Sequence, residues 1–112
     1  MSGRRRRLLL VGWDSADWKI IHPLLDAGEL PGLARLVESG TIGNLTTLEP
    51  QLSPMLWTSI ATGKVYHHGV PGFTEVDPGT VAVLPGCGAT RKCRTLWEIL
   101  QSRGLWSHVV SW

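Results

Sequence analysis

An aspartate that ends an apolar run and a serine that opens a helix are the groups in this chain best suited to metal or phosphoryl chemistry. Asp14 follows Leu8-Leu9-Leu10-Val11-Gly12-Trp13, and Ser53 stands directly before Pro54 and a helical stretch. A carboxylate is a good ligand for Zn²⁺, Mg²⁺ or Mn²⁺. A hydroxyl held on such an ion loses its proton more readily and becomes a nucleophile. A helix beginning at Pro54 aims free N–H groups and its positive dipole end at the same place, which favours an incoming phosphate. Each residue also has a plain structural reading. Asp14 is placed to cap the next helix, with Asp17 in its first turn, and Ser53 is placed as an N-cap worth about 1 kcal/mol.

The other chemistry-bearing residues point elsewhere. Thr58 is a second hydroxyl, but it lies more than a turn past Pro54 and reads as a packed helix threonine. His67 and His68 are adjacent, so in extended chain their side chains diverge and a turn role before Gly69 is favoured over a metal pair. His22 and His108 read as packing or surface residues. Cys87 and Cys93 match no common zinc spacing, and free thiols in a reducing, cytoplasmic compartment are the expectation. The six tryptophans, against one Tyr and one Phe, read as core, with Trp13 beside Asp14 the one placed to line a site.

Positioning these groups requires elements, and the pattern predicts them. Leu8–Trp13 reads as a strand buried on both faces. From Ser15 to Gly28, Trp18, Ile21 and Leu25 fall at helical spacing, and Pro23 predicts a break after Ile21. Pro31 opens another helix that Gly40 ends. Thr41–Leu48 alternates as a second strand, and Ser53-Pro54 begins a helix to about Thr62. A long connection from Gly63 to Thr90 is rich in turn residues, with a short hairpin expected around Thr80–Leu84. Thr95 and Glu98 form a capping box for a helix from Leu96 to Arg103. Gly104 ends it, and Leu105–Trp112 reads as a third strand. This alternation predicts an α/β fold, a parallel sheet flanked by helices, with Asp14 and Ser53 at the ligand-binding edge.

Composition limits the function classes. The 112 residues are 43% hydrophobic and 18% charged, as in one folded domain, with no period in the thirteen Gly and seven Pro. No apolar run approaches the roughly 18 residues of a membrane span. The net charge of +2 rests on Arg4 to Arg7; the remaining residues carry seven basic against nine acidic groups. Residues 1–7 therefore read as a basic leader rather than part of a nucleic-acid surface. Residues 8–112 read as the N-terminal portion of a larger α/β domain, because the pattern stops inside the third strand.

The motifs also carry a family resemblance. Val11-Gly12-Trp13-Asp14-Ser15-Ala16-Asp17-Trp18, Pro23-Leu24-Leu25, Gly28-Glu29-Leu30-Pro31 and Leu33-Ala34-Arg35-Leu36 form one block. Leu52-Ser53-Pro54-Met55-Leu56-Trp57-Thr58-Ser59-Ile60-Ala61-Thr62-Gly63, His68-Gly69-Val70 and Gly72-Phe73-Thr74 form another. Together, in this order, they resemble the type I phosphodiesterase/nucleotide pyrophosphatase family of the alkaline phosphatase superfamily. The resemblance implies an alkaline-phosphatase-like sheet, incomplete in this chain. It implies hydrolysis of a phosphate-ester small molecule through a phosphorylated enzyme and two divalent metal ions, zinc in many members. It puts a metal ligand on Asp14, the nucleophile and a second metal ligand on Ser53, and a substrate contact on Thr74. The family's remaining ligands, Asp and His residues further along, have no counterpart after Asp77 apart from His108. The isolated chain is therefore expected to be inactive.

Other readings remain at this stage. A sulfatase needs Pro two and Arg four residues past its nucleophile, where this chain has Met55 and Trp57. A phosphomutase of the same superfamily shares the nucleophile motif. A non-catalytic α/β binding module would use the same elements without chemistry.

Overall fold

Local cap chemistry accounts for the helices of this protein. The computed structural model describes residues 7–77, 79–80, 82–85 and 88–112. The chain divides into two compact units, Met1–Asn44 and Leu45–Trp112, each described by itself.

In the first unit, α1 (Trp18–Asp26) starts at Asp17, whose carboxylate accepts the Lys19 backbone N–H at 2.8 Å. Ile21 is buried, and Trp18 and Leu25 on the same stripe are half-buried. Pro23 lies inside α1 without interrupting it, against the sequence expectation. Its missing N–H forfeits one turn bond, and the next turn closes normally, Ala27 N–H donating to the Pro23 carbonyl at 3.0 Å. Gly28, at φ +73°, stops the helix; its N–H and that of Glu29 reach the Leu25 and Leu24 carbonyls at 2.9 Å. The second helix, α2 (Pro31–Ser39), has Pro in its first turn and ends at Gly40. The Trp18 indole N–H donates to the Gly43 carbonyl at 3.3 Å, tying the segment after α2 back to α1. The same ring stacks on His22, with centroids 5.0 Å apart.

In the second unit, α3 (Ser53–Thr62) ends at Gly63, which adopts φ +67° and returns its N–H to the Ser59 carbonyl at 2.8 Å. Strands β1 (Thr74–Val76) and β2 (Val83–Pro85) pair antiparallel, Thr74 opposite Pro85 and Val76 opposite Val83. Asp77 ties the connecting turn, accepting the Gly79 N–H at 2.9 Å and the Thr80 hydroxyl at 2.8 Å. These two bonds hold its carboxyl below the usual carboxylate range. A single 3₁₀ turn, Gly88–Thr90, leads toward α4 (Leu96–Ser102). Thr95 and Glu98 form the expected capping box, and Arg103 follows α4 as its C-cap. Among the described residues of this unit, Met55, Ala61, His68, Val70 and Thr95 have buried side chains. Trp112 packs edge-on against Trp57 and Trp97, with centroids 5.1 and 5.8 Å away, and donates its indole N–H to the Trp57 carbonyl at 3.4 Å.

The expected α/β architecture, an alkaline-phosphatase-like parallel sheet flanked by helices, is not what this chain adopts. Among the described residues the β structure is the antiparallel pair β1–β2 alone. Leu8–Trp13, Thr41–Leu48 and Leu105–Trp112 run without strand pairing. The reason is physical: a parallel strand needs a hydrogen-bonded neighbour and cover on both faces. Here Leu9 is 85% exposed and Val110 84% exposed. Their apolar character marks surface that is suited to burial but not buried. Residues 1–6, most of the expected basic leader, and Cys87 lie outside the described residues.

Candidate functional site

Asp14 and Ser53 share one feature: the structural role available to each is filled by a neighbour. Asp14 sits in a turn closed by the Ala16 N–H donating to the Trp13 carbonyl at 3.4 Å. Ser15, next to it, adopts φ 57°, a left-handed conformation that serine rarely takes. The helix that follows is capped by Asp17, not Asp14. The Asp14 carboxylate is exposed and makes no hydrogen bond or ion pair among the described residues. Together with Trp13, Ile20, Ile21, Leu24 and Leu30 it lines a shallow open cleft. Trp13 thus borders the carboxylate, as the sequence suggests.

Ser53 is likewise released from capping. The N-cap of α3 is Leu52, in extended conformation, and no side chain caps the helix. Ser53 is the first helical residue and Pro54 the second, so the sequence expectation of an N-cap serine is off by one position. The first carbonyl bond of α3 comes from Leu56 N–H to Leu52 O at 3.0 Å. The other hydroxyls of α3 all turn back on the helix. Thr58 donates to the Pro54 carbonyl at 2.6 Å and Thr62 to that of Thr58 at 2.7 Å, while Ser59 Oγ lies 2.9 Å from the Met55 carbonyl and 2.9 Å from that of Val65. Ser53 precedes the first such carbonyl, and its half-buried hydroxyl makes no hydrogen bond among the described residues. Thr58 is the packed helix threonine that its position predicts.

Thr74 opens β1 and is exposed. Two residues earlier, Gly72 is buried against the chain before α3: a Cβ there would lie 3.0 Å from Leu52 Cδ1. The segment that leads into Thr74 therefore passes beside the residue immediately before Ser53. Asp14 belongs to the first unit and Ser53 to the second.

His68, which the sequence assigns to a turn rather than to the site, is engaged on both sides of its ring. It is 1% exposed. Its Nδ1 accepts the Val70 N–H at 3.2 Å, so the proton of the neutral ring is on Nε2, which stands 3.0 Å from Ser59 Oγ. Burial pushes the imidazole below its ordinary pKa, while the Val65 carbonyl pulls the other way. Both ring nitrogens are occupied, so His68 is not available to an ion; His67 is exposed. The available signal was Gly69, whose φ of +85° brings its backbone against the 90–92 segment. A Cβ on Gly69 would stand 2.7 Å from the Thr90 carbonyl oxygen.

The donor set tests the expected metal centre. Zinc takes four ligands, commonly His, Cys and carboxylates. Asp14 offers one carboxylate and Ser53 one hydroxyl. Among the described residues no three His, Cys, Asp or Glu side chains gather to hold an ion. These residues do not by themselves make a two-metal centre. Cys93 is half-buried and has no disulfide partner among the described residues, which do not include Cys87.

Comparison with known proteins gives one result. The family described as type I phosphodiesterase / nucleotide pyrophosphatase matches residues 8–112. No curated protein matches, and no solved structure matches. No helix among the described residues is long and apolar enough to cross a membrane.

Proposed function

The chain belongs to the type I phosphodiesterase / nucleotide pyrophosphatase family, and from that premise we propose that Ser53 is the nucleophile of a phosphoric-ester hydrolase. The family acts on phosphate esters, and its members are generally metal-dependent. The observation that carries the proposal is the unengaged Ser53 hydroxyl at the mouth of α3, in a helix whose other hydroxyls are all back-bonded.

In this reading, Ser53 Oγ attacks phosphorus in line. An Oγ–P bond forms, the bond to the ester oxygen breaks, and the leaving alcohol takes up a proton. Water then cleaves the phosphoserine, releasing phosphate or a phosphomonoester and restoring the hydroxyl. The positive end of α3 favours the phosphoryl oxygens beside Ser53. Thr74, delivered past Leu52 by the buried Gly72, contacts the substrate phosphate. Asp14, with no structural partner, is the carboxylate that the chain contributes to a divalent cation. The other ligands of that cation are not among the described residues, so this chain alone does not turn over substrate. Residues 8–112 act as the part of the catalytic domain that carries nucleophile and first ligand.

The test uses the natural gene product that contains this sequence, assayed with bis(4-nitrophenyl) phosphate and Zn²⁺. Wild type should hydrolyse the ester and carry a trappable phosphoryl group on the Ser53 peptide. Ser53→Ala should lose activity by about 100-fold or more. Full activity in Ser53→Ala would remove Ser53 from the reaction.

A further inference from the structure

The second unit contains a histidine whose bonding does more than fill space. Ser59 Oγ accepts from His68 Nε2–H, and carries its own proton toward the Met55 or the Val65 carbonyl, each 2.9 Å away. One hydroxyl thereby joins the middle of α3 to both ends of the 65–68 loop. On the far side of the ring, Nδ1 holds the Val70 N–H at 3.2 Å. The His68 carbonyl accepts the Lys92 N–H at 2.8 Å. Val70 and Gly72, the next residues inward, are buried, and Gly72 rests against Leu52.

We propose that His68 is a positioning residue: a neutral imidazole clamp between α3 and the loop that lays Gly72 against Leu52, just ahead of Ser53, and continues to Thr74. What the clamp serves rests on the reading of Ser53 and Thr74 above; the clamp itself does not.

The clamp holds only while Nδ1 has a lone pair. Protonation puts an N–H opposite the Val70 N–H, and two donors cannot share that bond. It also places a cation where the ring is 1% exposed and has no acidic hydrogen-bond partner. The charged surroundings give it no relief. Helix α3 contains no ionisable residue. From the loop, Lys64, Tyr66 and His67 are exposed. From the segment after the 3₁₀ turn, Lys92 lays its stem against Gly69, and Arg91 is engaged by Glu98. Acid therefore opens the Val70 bond first and frees the chain leading to Thr74, while α4, held by its own capping box, stays formed.

The test is amide and imidazole NMR of the same natural gene product from about pH 7.5 to about pH 5, with His68→Gln as the comparison. Glutamine keeps a neutral donor and acceptor but does not titrate. At the upper pH the ring should show the Nε2–H tautomer. On acidification the Val70, Gly72 and Thr74 amide signals should move with the midpoint of the His68 ring, while α4 signals stay in place. In His68→Gln that common movement should vanish. The proposal is overturned if Thr74 ignores the His68 titration in a folded chain, or if α4 and Thr74 lose dispersion together. Either outcome leaves hydrolysis by Ser53 standing, just as an active Ser53→Ala enzyme would leave the clamp standing.

Discussion

Arg91 and Glu98 meet through two parallel hydrogen bonds, Nη1 to Oε2 at 2.8 Å and Nη2 to Oε1 at 2.9 Å. The same carboxylate accepts the Thr95 backbone N–H at 2.6 Å and the Thr95 hydroxyl at 2.9 Å. One Glu98 side chain thus closes a helix start and anchors the segment before it, where Arg91 also donates to the Cys93 carbonyl. The Arg91 guanidinium, followed by the Thr95 bonds, pulls the Glu98 pKa down to about 2.

That depression sets the sign of the pH dependence. The folded carboxylate is a stronger acid than the unfolded one. Its contribution is complete above the ordinary glutamate range and is lost as pH falls through about 2. Urea unfolding at a series of acid pH values should show this decline in wild type. Glu98→Gln should be less stable at neutral pH and should flatten the decline. An unchanged acid slope in that variant would dissociate Glu98 from it.

His68 titrates on the same side for the opposite reason. Its pKa is lowered because burial penalises the cation, so its contribution is present above the unfolded value of about 6.5 and fades as pH falls below it. Wild-type stability should begin to drop in mildly acidic solution, well before Glu98 protonates. His68→Gln should remove that earlier component; a stability profile identical to wild type would contradict this assignment.

Two glycines with left-handed φ should respond very differently to alanine. Gly69→Ala meets the Thr90 carbonyl oxygen at 2.7 Å and Lys92 Cγ at 2.8 Å, on top of the strained φ of +85°. It should cost about 2 kcal/mol or more. At Gly63, φ is +67° and an added methyl would meet nothing within 4 Å, so Gly63→Ala should cost about 1 kcal/mol. Equal shifts in urea midpoint would mean that the close approach at Gly69 is not felt.

The carboxylates and hydroxyls of the candidate site separate by stability. Asp17→Ala removes the α1 cap and should cost about 1 kcal/mol. Asp14→Asn and Ser53→Ala remove no hydrogen bond and should change stability by no more than about 0.5 kcal/mol. Thermal melts of the three variants decide the matter: a destabilised Ser53→Ala would mean that the hydroxyl has a structural partner after all.

Local signals in the sequence carried as far as local physics does. The Thr95/Glu98 box marks where α4 begins, and Pro31 with Gly40 and Ser53-Pro54 with Gly63 each bracket a helix, because caps, first-turn prolines and glycine stops act within a few residues. Pro23 misled, because one lost hydrogen bond does not break a short helix that buries Ile21. The apolar runs 8–13, 41–48 and 105–112 misled more seriously. Apolar composition says that a segment suits burial, whereas a sheet also needs a partner that composition does not specify. At the site, the residue types of Asp14 and Ser53 were legible, but the residues that relieve them of capping, Asp17 and Leu52, were not. A turn role for His68 before Gly69 is legible in the sequence, but its partners, Ser59 and Val70, declare themselves only once the loop is folded.

The three indoles at Trp57, Trp97 and Trp112 lie close enough for their electronic transitions to couple. Near-ultraviolet circular dichroism should therefore carry a signature belonging to the trio rather than to any one ring. That signature should disappear when the final residue lifts away from its two neighbours, so the molecule contains its own optical gauge of whether its C-terminal segment is docked.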